Sequence, residues 1–198
     1  MKCLFCDKEI NSYSLYSLLV EEDLLCSDCR NKLNLKYKKF IVDDVEVETF
    51  YEYDSLFKEV LLQYKECYDE ALKDIFLYKI KDYLKIKYHS YKILYVPSSK
   101  IKLEERGFNH LKEIFKELNL EEVVGLKMKK EISQQSKNTS ERKLMETNYC
   151  FENENYFCEK LLIVDDVFTT GSSLRGTINV MKKHCLKIKA IILAKTWQ

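Results

Sequence analysis

Two groups of residues in this 198-residue chain have the types and spacing to do chemistry. The first is the run Leu161-Leu162-Ile163-Val164-Asp165-Asp166-Val167-Phe168-Thr169-Thr170-Gly171-Ser172-Ser173. Its apolar start predicts a buried strand that ends in two carboxylates. A turn of Thr, Gly and Ser follows, and then a helix. Ligands of open α/β sheets sit at the carboxyl ends of strands. The N–H groups of such a turn, with the helix N-terminus behind them, form an anion cradle. Thr169, Thr170, Ser172 and Ser173 add hydroxyl donors, and Gly171 permits a backbone conformation that a Cβ would hinder. Two aspartates beside a phosphate would repel it unless they face something else. The vicinal hydroxyls of a sugar, or a bound Mg²⁺ with its preference for oxygen ligands, are the sensible targets. A sugar 5-phosphate therefore suits Asp165–Ser173 better than a nucleoside triphosphate, and the chain has no G-x4-G-K-[ST] motif. The competing explanation is an ordinary strand–turn–helix junction with Asp and Thr as caps.

The second group is Cys3-x2-Cys6 and Cys26-x2-Cys29, two pairs separated by nineteen residues. Two residues between thiolates let both sulfurs of a knuckle reach one Zn²⁺ at about 2.3 Å, and a second knuckle completes the tetrahedron. A closed four-sulfur site leaves no open position, so its expected role is structural. Metal binding would supply much of the folding energy of so small a segment. Two redox dithiols, or incidental cysteines, are the alternative. Cys67, Cys150, Cys158 and Cys185 lack such spacing and read as core or surface thiols.

These groups need elements to position them. Val45, Val47, Thr49, Tyr51 and Tyr53 alternate like a half-buried strand. Asp54 or Ser55 caps a helix with Leu56, Val60, Leu61 and Tyr64 on one face. A second helix is expected over Asp69–Tyr88. Ile93–Val96 reads as a short strand ending at Pro97, and a polar loop precedes a helix marked by Leu111, Ile114, Phe115 and Leu118. Val123–Met128 is a candidate strand, and Lys129–Asn148 reads as a long mobile loop. Leu161–Val164 and Ile188–Ala194 are continuous apolar runs, as parallel strands buried on both faces are. Between them Ser173–His184 is helical. Strands alternating with helices predict an α/β fold with a mainly parallel sheet flanked by helices. A small zinc ribbon is expected over residues 1–40 and the larger domain over residues 41–198.

Composition excludes some classes. Apolar residues are 46% and charged residues 33%, with net charge +1, so no global field draws the chain to nucleic acid or membrane. No apolar run approaches the ~20 residues of a spanning helix. The start, Met1-Lys2-Cys3-Leu4, does not read as a signal peptide, and a cytoplasmic location without membrane insertion is expected.

The order of motifs resembles the ComF (ComFC-like) family of competence proteins, which join an N-terminal four-cysteine zinc motif to a phosphoribosyltransferase-type domain. The residues that carry the resemblance are Cys3 to Cys29, Val96-Pro97-Ser98, Glu105-Arg106-Gly107-Phe108-Asn109-His110, Gln134/Gln135 with Glu141-Arg142, and Asp165–Ser173. The resemblance implies that Asp165 and Asp166 hold ribose hydroxyls of phosphoribosyl diphosphate. Val167, Phe168, Thr169, Thr170, Gly171, Ser172 and Ser173 would hold the 5-phosphate, and Mg²⁺ would accompany the ligand. The turn of Pro97, Ser98, Ser99 and Lys100 would face the pyrophosphate, with Lys100 and Arg106 as its electrostatic partners. His110 departs from the usual Gln of the family, and Glu104 from the usual Arg. Thr169 stands where purine-salvage members of the superfamily carry a third acid as general base, so no purine base catalyst is offered. The resemblance further implies a role in natural transformation on incoming single-stranded DNA, with a ComFA-type helicase as partner. A phosphoribosyltransferase of nucleotide salvage and a phosphoribosyl-diphosphate sensor are the other readings. Lys79, Lys81, Lys85 and Lys87 with Tyr78, Tyr83 and Tyr88 are a candidate DNA surface or a solvated helix face.

Overall fold

The computed structural model describes residues 2–10, 24–33, 35–67, 69–129 and 148–197. Five strands form one sheet in the order β1-β2-β7-β6-β3. They are β1 (Leu35–Val42), β2 (Val45–Glu52), β3 (Lys92–Tyr95), β6 (Cys158–Phe168) and β7 (Cys185–Lys195). The β1/β2 pair is antiparallel, and β2/β7, β7/β6 and β6/β3 are parallel. The expected α/β fold with a mainly parallel sheet is therefore the observed one. A separate antiparallel pair, β4 (Leu126–Met128) and β5 (Tyr149–Phe151), lies outside this sheet.

Both faces of the sheet are covered, which explains the unbroken apolar runs of β6 and β7. Leu162, Val164, Ile191 and Leu193 point into one core, with α2 (Ser55–Glu66), α3 (Lys73–Leu77), α4 (Lys81–Tyr88) and α6 (His110–Phe115). Leu161, Ile163, Ala190 and Ile192 point into the other, against α7 (Ser172–Met181) and the β4–β5 pair. The cysteine segment joins the first core. It includes α1 (Ser27–Lys32), and Cys3, Leu25, Cys29 and Leu33 are buried with Val60 and Ile75.

Several expectations are corrected. The helix over Asp69–Tyr88 is three pieces: a 3-10 turn at Glu70–Leu72, then α3, then α4. Leu77 and Ile80 are both buried at the α3–α4 break, so packing bends the chain there without Gly or Pro. The polar stretch after Pro97 contains α5 (Lys100–Arg106), capped by Ser99 Oγ accepting from Lys102 N and closed by Gly107 at φ 74°. Only Leu126–Met128 of the 123–128 strand is regular. β2 is buried on both faces rather than one, because Glu48 and Phe50 are covered as well as Val47 and Thr49. The expected loop at 129–148 lies, but for its ends, outside the described residues. Those ends meet, with Lys129 N donating to Asn148 O at 2.6 Å.

Candidate functional site at the carboxyl end of the sheet

The strand at the site runs further than its apolar stretch predicts. β6 runs on through the two aspartates to Phe168, with Val167 opposite Ala194 and Phe168 opposite Lys195. The turn expected after Asp165-Asp166 is thus only Thr169–Gly171. Extended backbone alternates its side chains, so the adjacent carboxylates diverge. Asp166 joins Leu162 and Val164 on the α2/α6 face, where its Oδ2 is ion-paired with Lys65 Nζ and accepts from His110 Nε2 at 2.9 Å. Asp165 takes the α7 face, and its Oδ1 accepts from Asp166 N at 2.9 Å.

The turn is built around a glycine at the start of a helix. Gly171 is the N-cap of α7 with φ 75°. A Cβ there would lie 2.5 Å from Phe168 Cζ, so both the left-handed backbone and the Phe168 ring demand glycine. Thr169 and Thr170 are exposed, and Thr170 Oγ1 bonds Ser172 Oγ at 3.0 Å. The first N–H groups of α7 open toward this turn. A hollow of about 710 Å³ runs along α2 past Ser55, Leu62 and Glu66 and includes none of residues 165–173.

β3 brings the other side of the site. Tyr95 pairs with Val164, and Val96 N donates to Val164 O at 3.0 Å, so Pro97, Ser98 and Ser99 leave the sheet beside Asp165. Lys100 is exposed on the first turn of α5. Arg106 turns inward with 7% of its side chain exposed, donating from Nη2 to Glu66 at 2.9 Å. Its Nε is buried and has no hydrogen-bond partner among the described residues.

Electrostatics mark this end of the sheet. Burial pushes the Lys65 ammonium down to about 7, with Arg106 and Lys102 adding to the effect against the opposing field of Asp165. Burial pushes the Asp165 carboxyl up to about 7, opposed by Lys65. Burial and the cations Lys65, Arg106 and Lys102 push His110 down to about 2, so its ring is neutral. Lys65 carries no signal in the sequence. It lies 101 residues from Asp166 in a run, Gln63-Tyr64-Lys65-Glu66, that looks like the end of an ordinary amphipathic helix.

The four cysteines come together as their spacing predicts. The Sγ atoms of Cys3, Cys6, Cys26 and Cys29 all lie within 4.8 Å of one another, which suits four thiolates around one zinc ion. Although burial raises the Cys3 thiol, backbone N–H groups from Cys26, Cys6 and Phe5 outweigh it and hold Cys3 at about 6. Such amides favour the thiolate that a metal needs. Leu4 N donates to Leu24 O at 3.0 Å and ties the two knuckles together.

The candidate Lys/Tyr surface is largely committed to the fold. Lys87 is ion-paired with the buried Glu48, Tyr83 donates to the same carboxylate at 3.2 Å, Tyr88 is buried, and Lys81 pairs with Glu117 at 3.1 Å. Among the described residues no helix is long and apolar enough to cross a membrane.

No family model matches the chain. The chain is 27% identical over 208 residues to the competence protein ComFC of Streptococcus pneumoniae (strain ATCC BAA-255 / R6), an alignment that covers 92% of each chain. That similarity runs over most of the chain and supports the likeness to the ComFC-like family.

Proposed function

We propose that the protein acts in natural competence and binds phosphoribosyl diphosphate, or a related sugar 5-phosphate, at the carboxyl end of β6. The observation that carries the reading is the loop itself: Gly171 at φ 75° caps a ten-residue helix, three residues after the end of a parallel strand that carries two acids in its last stretch. The amides and hydroxyls of Val167–Ser173 would take the 5-phosphate. A sugar seated over the strand end would meet Asp165 on one side and Asp166 on the other. Pro97–Lys100 and Arg106, whose Nε has no hydrogen-bond partner among the described residues, would serve the pyrophosphate, where charge-assisted bonds are strong. Mg²⁺ would enter with that ligand and offset its charge. Asp165 suits it better than Asp166, whose Oδ2 already has two protein partners.

The name of the relative, ComFC, supports the competence setting. Handling of incoming single-stranded DNA in the cytoplasm, with a ComFA-type helicase, completes the proposal. The commitment of Lys87, Tyr83 and Tyr88 to Glu48 and the core removes the Lys/Tyr patch as its support. Thr169 offers no general base, so binding is proposed here without assignment of a transfer reaction.

The test is calorimetric titration of the zinc-loaded protein with phosphoribosyl diphosphate and Mg²⁺. Saturable binding that disappears in Asp165→Asn/Asp166→Asn is expected. Absence of binding to the wild-type protein would refute the pocket. A screen of bases for pyrophosphate release then separates a sensor from a transferase.

A further inference from the structure

Asp166 is held in an unusual way for a carboxylate near the carboxyl end of a strand. Its Oδ2 takes both Lys65 Nζ and His110 Nε2, and no partner of Oδ1 is found among the described residues. The side chains of Lys65, Asp166 and His110 are 14%, 13% and 4% exposed, so these bonds are shielded from water and salt. The donor and acceptor senses are fixed along the whole chain of contacts. Arg106 donates to Glu66 from Nη2, and its Nη1 faces His110 Nδ1 at 3.4 Å. An arginine cannot accept, so Nδ1 is the acceptor and Nε2–H is left to donate to Asp166. The neutral ring fits this tautomer.

We propose that Lys65 and His110 are positioning residues that clamp Oδ2 of Asp166 and present Oδ1 alone to the vicinal hydroxyls of a bound ribose. This rests on reading the strand-end loop as a sugar-phosphate site. Its consequence is specificity. A carboxylate fixed by two donors loses little further freedom on binding, so the hydroxyl it accepts is read sharply, and a sugar lacking that hydroxyl leaves a half-buried acceptor unpaired. The site would then discriminate ribose 5-phosphate from 2-deoxyribose 5-phosphate. A ribosyl ligand, rather than the deoxyribose end of a DNA strand, becomes its occupant.

The test uses the full-length zinc-loaded protein and three probes: inorganic phosphate, ribose 5-phosphate and 2-deoxyribose 5-phosphate. The wild-type protein is expected to favour ribose over deoxyribose roughly tenfold, the size of one charge-assisted hydrogen bond. Lys65→Met and His110→Leu should bring the preference to within about twofold. His110→Gln, whose amide can donate to Asp166 and accept from Arg106, should restore it. The preference is a ratio within each protein, so loss of folded material does not move it. If Lys65→Met binds nothing, His110→Leu against His110→Gln decides. Full preference in His110→Leu overturns the proposal, and so does equal wild-type affinity for the two sugars. Failure of the wild-type protein to bind any of the three refutes the sugar-phosphate reading beneath it.

Discussion

The same face of the sheet carries one buried and one half-buried carboxylate, each ion-paired with a lysine from a helix, and they do different work. Glu48 lies in the middle of β2 and is fully buried. Lys87 bonds it, Tyr37 and Tyr83 donate at 3.1 and 3.2 Å, and Lys39 lies 3.4 Å away. Against the cost of burial, these partners hold Glu48 below the usual carboxylate range. Asp166 lies near the carboxyl end of β6 with two donors on one oxygen, and beside its His110 partner stands Arg106, whose Nε has no hydrogen-bond partner among the described residues. A buried, paired acid is therefore no sign of a site. What separates the two is spare bonding capacity and a position at a strand's carboxyl end.

The knuckles belong with Glu48 on the structural side, and they carry the largest expected effect. Cys29→Ser, or removal of metal by a chelator, should cost at least about 3 kcal/mol, given the binding energy of structural zinc. That corresponds to a fall in Tm of roughly 6–12 °C for a chain of this size. Circular-dichroism melting checks it, and an unchanged Tm would remove zinc from the core.

Next comes the direct contrast. Lys87→Met should destabilise the fold by about 3 kcal/mol, because it strips the main partner from a buried charge. Sugar-phosphate affinity should stay as it was. Lys65→Met should cost less stability, since burial already disfavours its ammonium, and should instead change ligand preference. Denaturant midpoints measured beside titrations break the comparison if the two variants behave alike.

Gly171→Ala is of intermediate size. The positive φ costs about 1–2 kcal/mol for a residue with a Cβ, and the Phe168 contact at 2.5 Å adds to it. Combining Gly171→Ala with Phe168→Ala should recover the steric part only. Urea unfolding of the single and double variants resolves the two contributions.

The smallest effect is in pH, where the two faces of the sheet differ in sign. Asp165 is raised in the fold to about 7, so its protonated form contributes stability at low pH that is lost as pH rises from about 4 toward 7. Glu48 is lowered, so its contribution is present above the ordinary carboxylate range and lost as pH falls through its folded value. Asp165→Asn should flatten the first limb and Glu48→Gln the second. The same slope in both variants would contradict the assignment.

Where sequence and structure agree, the reason is burial. β6, β7, α2, α6 and α7 have apolar faces that the pattern of residues betrays, and the loop at 165–173 is a contiguous string. β1 escapes such reading because it is an edge strand, exposed at Lys36, Tyr37, Lys38 and Lys39 and paired on one side only; lysines there guard the edge against further pairing. α5 has no buried residue and hence no period, although Ser99 and Gly107 bracket it. The continuation of β6 past Asp166 depends on β7 running alongside to Lys195, which a local pattern does not encode. Lys65 is less legible still, since its role comes from tertiary proximity. His110 looks like a departure from the family motif, yet its ring makes two polar contacts that an amide could also make.

The most direct measurement is amide hydrogen exchange with and without phosphoribosyl diphosphate and Mg²⁺. Bound ligand should slow exchange at residues 166–173 and in the first turn of α7, with no change along β1 and β2 around Glu48. Protection at Glu48 and its neighbours, or none at residues 166–173 under saturating ligand, would contradict it.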